Sequence, residues 1–137
     1  MSKESFEQGR AIQSEIFGEE FVKRAWERQT DLTRPFQELL ISFCFGEVWS
    51  RPNLSRAERS MVTIAQIIAL NRPEQLRNHV RGAIANGLTK EKIVEIVIHS
   101  FAYVGAPLSV NALATCVDEF QKMGLVEAPK PASGAKS

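Results

Sequence analysis

An all-helical bundle is the fold class this sequence predicts, on three observations. Apolar residues recur at three- and four-residue intervals through most of the chain. Helix start and stop signals divide it into about seven segments. No stretch shows the apolar-polar alternation of a half-buried strand. At 137 residues, 44% hydrophobic and 24% charged, the chain suits one domain with one core.

The elements follow in order. Residues 4–17 and 19–30 are amphipathic and are separated by Gly18. Pro35 is placed to open a third helix, its fixed φ and missing N–H being harmless in a first turn, and this helix runs to about Glu47. Residues 50–54 (SRPNL) form a loop. Ser55, with Glu58 three residues on, makes a capping box for a fourth helix ending near Asn71. Pro73 opens the fifth helix and Gly87 closes it. Thr89 caps the sixth, which ends near Gly105, and Pro107 opens a seventh that runs to about Met123 and stops at Gly124. Residues 1–124 thus form a single helical domain. Residues 125–137, rich in Pro, Ala, Gly and Ser, are expected to be a disordered tail.

Composition excludes several functions. A formal net charge of +1 without long runs of one sign recommends neither a nucleic-acid nor an anionic-membrane partner. No apolar run reaches the length of about 18 residues that a membrane span needs. Cys44 and Cys116 lie far apart in apolar helical contexts, with no leader-like segment before them and no C-x-x-C. They predict a reducing, cytoplasmic setting. Two histidines and two scattered cysteines supply no ligand spacing for a metal. The fourth helix (Met61, Val62, Ile64, Ala65, Ile67, Ile68) and the sixth are apolar on more than one side, which predicts an obligate oligomer with these helices at subunit interfaces.

Three groups of residues carry the chemistry. Glu95, His99 and Tyr103 recur every four residues through the sixth helix, stacking on one face while Ile93, Ile96, Val97, Ile98 and Phe101 cover the others. A carboxylate, an imidazole and a phenol buried together are expected either to satisfy one another as a core network or to face a ligand. The second group is basic. Arg51, Arg56, Arg59, Arg72, Arg77 and Arg81 are six of the ten arginines, opposed in that stretch only by Glu58 and Glu74. Guanidinium forks hold carboxylates bidentately, as a pocket for a small polycarboxylate requires. Arg56, Arg72, Arg77 and Arg81 are expected to be solvated. Arg51, in a tight loop between Trp49 and Pro52, and Arg59, one turn inside a helix beside an apolar face, are the candidates for anion binding. The third is His79, on the edge of the fifth helix's apolar stripe, where a histidine is a boundary residue unless it keeps company with groups that bind and polarise a substrate.

Together the blocks GEVWSRP (46–52), LSRAERS (54–60), LRNHVRGAIANG (76–87) and the E-x-x-x-H-x-x-x-Y-x-G-x-P run (95–107) resemble the carboxymuconolactone decarboxylase family, from about residue 6 to 122. The resemblance implies the alkylhydroperoxidase D-like helical fold, typically hexameric. In the thiol reductases of that fold a C-x-x-C precedes the histidine matching His79. Here those positions are Arg72 and Gln75, so disulfide exchange is set aside.

The resemblance further implies a cofactor-free decarboxylase converting gamma-carboxymuconolactone to the beta-ketoadipate enol-lactone in aromatic catabolism. Such a substrate carries its own electron sink in the lactone carbonyl, and no cofactor is expected. On this basis Arg51 and Arg59, beside Trp49, are expected to anchor carboxylates, and His79 to protonate the dienolate. Glu47 is expected to orient an arginine or the imidazole. Family members can carry glutamine at the position of His99, which implies a hydrogen-bonding rather than an obligatory proton-transfer role there, with Glu95 and Tyr103 bracing it. Two alternatives stay open: a paralogue of the same fold acting on another lactone or beta-keto acid, and a non-catalytic oligomer that binds a small carboxylic acid.

Overall fold

The computed structural model describes residues 2–131. Seven α-helices make up the described residues: α1 Lys3–Phe17, α2 Glu19–Glu27, α3 Arg34–Leu40, α4 Arg56–Leu70, α5 Pro73–Ala85, α6 Lys90–Val104 and α7 Ala106–Lys122. No strand occurs among them. Their ends obey the expected chemistry. Ser2 caps α1 by accepting from the Ser5 N–H at 3.0 Å, and Thr89 caps α6 by accepting from Lys92 N–H at 3.2 Å. The Ser55 and Glu58 capping box is complete, each side chain accepting from the other residue's backbone N–H.

The third helix does not keep one geometry. After Leu40 the chain continues without a break but widens into a π-helix over Ile41–Val48, closed by the Trp49 N–H donating to the Cys44 carbonyl at 2.9 Å. Helix α1 crosses this segment at close quarters. A Cβ on Gly9 would overlap the Ile41 carbonyl, and one on Gly46 would overlap the Ser5 carbonyl. The two backbones therefore touch directly, and only glycine fits at either crossing point.

Two apolar clusters form the interior. The larger lies among α4, α5, α6 and α7 around Ile64, Ile68, Val80, Ile93, Val97, Cys116 and Phe120. The smaller joins α1 to the π segment through Ile12, Ile16, Phe45 and Trp49. Helix α5 packs against both α1 and α7, so it carries side chains to each cluster. Burial of Glu119 is compensated electrostatically: Arg81 Nη1 donates to it at 2.5 Å, and Arg77 Nη1 lies 3.6 Å from it while donating to Asp118 at 2.5 Å. Arg77 and Arg81, expected from sequence to be simply solvated, are only partly exposed and fasten α5 to α7. Arg72 is exposed and donates to the carbonyls of Leu70 and Asn71.

Two further expectations are corrected. Leu125 and Val126 do not belong to a disordered tail: both pack against the larger cluster, and the Leu125 N–H donates to the Phe120 carbonyl at 2.9 Å. The end of that tail, 132–137, lies outside the described residues. The polar stripe of α6 is not buried in the protomer either, Glu95, His99 and Tyr103 all being exposed. The chain covers only the face carrying Ile93, Ile96, Val97 and Ser100, and leaves Ile98, Phe101 and 79% of Tyr103 in contact with solvent. No described helix is long and apolar enough to cross a membrane.

Candidate active site

His79 occupies the junction of the two clusters. It projects from α5 into aromatic company from α1 and the π segment. Phe17 meets the imidazole edge-on with ring centres 5.2 Å apart, and Trp49 lies nearly parallel to it at 6.4 Å and 25°. Phe45 supports both neighbours, stacking on Trp49 at 6.0 Å and meeting Phe17 edge-on at 5.8 Å. Nδ1 of His79 is buried and has no hydrogen-bond partner. Burial therefore penalises the imidazolium and pushes its pKa down to about 4. At neutral pH the ring is uncharged, largely but not wholly shielded from solvent, and free at Nδ1.

Trp49 also lines a cleft of about 410 Å³ between the π segment and α4, together with Cys44, Leu54, Arg59, Thr63 and Gln66 among others; His79 is not part of its wall. Arg59 enters it half-engaged. Its Nη2 donates to the Arg51 carbonyl at 2.9 Å, while its Nε is buried with no partner. A guanidinium with one donor edge uncommitted inside a partly apolar cleft can receive a carboxylate. Burial also raises the Cys44 thiol's pKa, so it enters the cleft as a neutral group.

The predicted residues thus fall into three places. Trp49 is the common neighbour: His79 lies near-parallel to its ring, and Arg59 lines a cleft with it, but His79 and Arg59 share no pocket. Arg51 adjoins Arg59 through its backbone, its side chain being exposed. Glu47 is elsewhere: its carboxylate accepts from the Ser5 hydroxyl on α1 and orients neither an arginine nor the imidazole. Glu95 and His99 border a separate apolar groove of about 500 Å³ with Met61, Val62, Ala65 and Ile96. Tyr103 lies against His99, their ring centres 5.2 Å apart. Val62 touches both the cleft and the groove, so they lie on adjoining faces of α4.

Sequence reasoning passed over three contributors. Phe45 is four residues before Trp49, and that spacing was a readable sign of two aromatics on one face. Phe17, at the end of α1, gave no local sign of meeting His79. Arg56, expected to be solvated, donates through Nη1 to the Trp49 carbonyl at 2.5 Å.

A seven-helix bundle with a histidine at the cluster junction, and with Arg72 and Gln75 where a thiol reductase would carry its cysteine pair, defines a protein of the alkylhydroperoxidase D-like fold that lacks the C-x-x-C of the reductases. The chain belongs to the carboxymuconolactone decarboxylase family, whose profile matches residues 34–117. It is 38% identical over 123 residues to the 4-carboxymuconolactone decarboxylase of Acinetobacter baylyi, covering 90% of this chain and 92% of that one. It is 39% identical over 108 residues to the nitrosuccinic acid decarboxylase of Metarhizium robertsii, covering 79% and 76% of the two chains. It is also 34% identical over 98 residues to an uncharacterized 15.0 kDa protein of Paracoccus denitrificans, covering 69% and 70%.

Proposed function

We propose that this protein is a carboxy-lyase that decarboxylates gamma-carboxymuconolactone to the beta-ketoadipate enol-lactone without a cofactor. The observation that supports the reading is that Trp49 neighbours both a neutral, largely buried His79, near-parallel to its ring, and an Arg59 guanidinium whose Nε is uncommitted in the cleft that Trp49 and Arg59 line together. Similarity to the Acinetobacter decarboxylase over nine-tenths of the chain supports the substrate. The Metarhizium relative, named for a different carboxylic acid, marks substrate identity as the finer question.

The chemistry follows from these groups. Arg59 receives one carboxylate, with Arg51 at the cleft's outer edge for the second. The departing carboxylate lies toward the aromatic side, where weak solvation favours neutral carbon dioxide over the anion. Its C–C bond breaks, and the electron pair passes through the ring double bond into the lactone carbonyl, giving a dienolate. His79 does not line the cleft, so the next step requires the Trp49 indole to swing aside and admit the substrate to the imidazole. An anionic substrate there favours the charged form, and His79 takes up a proton as the complex forms and delivers it to carbon. The α6 stripe and the apolar faces of α4 and α6 fit a homo-oligomer, for which the family resemblance gives a hexamer; a monomeric mass in light scattering at micromolar concentration would contradict this.

The test is release of carbon dioxide from gamma-carboxymuconolactone by the purified protein with no added metal or cofactor. Turnover of nitrosuccinate or another carboxylic acid, but not the lactone, would move the assignment to a paralogous activity. Tight binding of the lactone without turnover would move it to a binding protein.

A further inference from the structure

We propose that Arg56 is a positioning residue: by fixing the Trp49 backbone it holds the indole over His79 and keeps the imidazole shielded and aligned. The inference rests on His79 as the proton donor, but its geometry stands independently. Trp49 follows the last residue of the π segment, where a helix leaves carbonyls without intrahelical partners. Arg56 Nη1 donates to the Trp49 carbonyl at 2.5 Å, and its Nη2 lies 3.5 Å from Glu15 Oε2 on α1. The planar fork therefore ties together α1, the end of the π segment and α4 at the backbone of the residue whose ring lies near-parallel to His79 on α5. One turn further along α4, Arg59 makes the equivalent bond to the Arg51 carbonyl. The arginine pair spans the two ends of the turn that follows Trp49.

Among the described residues, the charged groups of the neighbouring elements are engaged elsewhere. Glu15 is engaged by Arg56 and Glu47 by the Ser5 hydroxyl; on α5 itself Arg77 and Arg81 turn to Asp118 and Glu119; the Cys44 thiol and Arg59 line the cleft beside Trp49. No carboxylate bonds to His79, whose close neighbours are the rings of Phe17 and Trp49. Its protonation is governed by how well those rings exclude water, and Trp49 is the one whose backbone is held by a side chain.

The experiment is an NMR titration of the His79 Cε1–H signal, assigned by its loss in His79→Gln, in the wild type and in Arg56→Met, Arg56→Lys and Arg72→Met, with kcat and KM for the lactone measured alongside. Arg56→Met lets more water reach the ring, and is expected to raise the proton affinity of His79 by about tenfold or more, one pKa unit, while lowering kcat with little change in KM. Arg56→Lys keeps the charge and stem but not the fork, and is expected to shift the affinity by about threefold. Arg72→Met is expected to change neither. An unchanged His79 titration in a folded Arg56→Met protein, or in Arg56→Lys should the first variant fail to fold, overturns the proposal. A shifted titration in a protein with no decarboxylase activity would leave the clamp standing and refute the proposed function instead.

Discussion

Acidification should destabilise this protein in a pH window set by one residue. His79 is neutral in the folded chain because burial lowers its pKa from 6.5 to about 4. Once unfolded, its imidazole takes up a proton below 6.5. Between these values the unfolded state binds more protons than the folded one, so stability falls as pH drops from 6.5 and levels off below about 4. At about 1.4 kcal/mol per pKa unit, the loss attributable to His79 reaches up to about 3 kcal/mol. The lowered carboxylates do not obscure it. Hydrogen bonds from Ser55 lower Glu58, and Lys122 and then Arg77 lower Asp118, so the stability these acids contribute is fully present above their unfolded values of 4.5 and 3.8. Urea unfolding of the wild type and of His79→Gln at half-unit steps from pH 7.5 to 4.5 isolates the effect, because glutamine does not titrate. The wild type is expected to lose about 2–3 kcal/mol more than the variant across that range. Parallel profiles would show that His79 is hydrated and charged in the folded protein, removing the physical basis for its proposed role.

Other outcomes follow from the same geometry. Arg59→Met should raise KM for the lactone by about tenfold or more, the scale of a lost charge-assisted hydrogen bond, with the fold intact by circular dichroism; an unchanged KM would reduce Arg59 to a brace for the Arg51 carbonyl. His99→Gln should alter kcat less than about fivefold, since an amide can donate the same hydrogen bond, and complete inactivation of a folded protein would make His99 a catalytic residue. Gly46→Ala should cost about 1–3 kcal/mol or more in urea unfolding, because its Cβ meets the Ser5 backbone rather than a side chain that can turn away; a variant as stable as the wild type would refute the direct backbone crossing.

Local signals made the helices legible. Ser55 with Glu58, Thr89, and the prolines that open helices act within a few residues, and each marks a boundary in the structure. The widening at Ile41–Val48 and the close crossing within it were not legible, because Gly9 and Gly46, which permit the crossing, are distant in sequence and meet only after α1 packs on this segment. The same division holds at the site. His79 and Arg59 could be singled out by residue type and neighbouring pattern, and Trp49 by its loop. The pairings of Glu47 with Ser5 and of His79 with Phe17 are long-range contacts with no local trace, and that of Arg56 with the Trp49 carbonyl, seven residues apart, depends on how the intervening loop turns. The α6 stripe shows the converse error. A helix apolar on several faces was expected to be buried, but how much of it one chain can cover depends on how many elements surround it, and here Tyr103 stays 79% exposed.

The most direct measurement of the central claim is single-turnover release of carbon dioxide from gamma-carboxymuconolactone by the wild type and by His79→Ala, without metal or cofactor. Positioned proton transfer contributes about 10²–10⁴-fold, so the wild type is expected to turn over and His79→Ala to lose at least about a hundredfold in kcat while still binding the lactone. A loss below about fivefold in the folded variant would contradict the assignment of His79 as the group that delivers the proton.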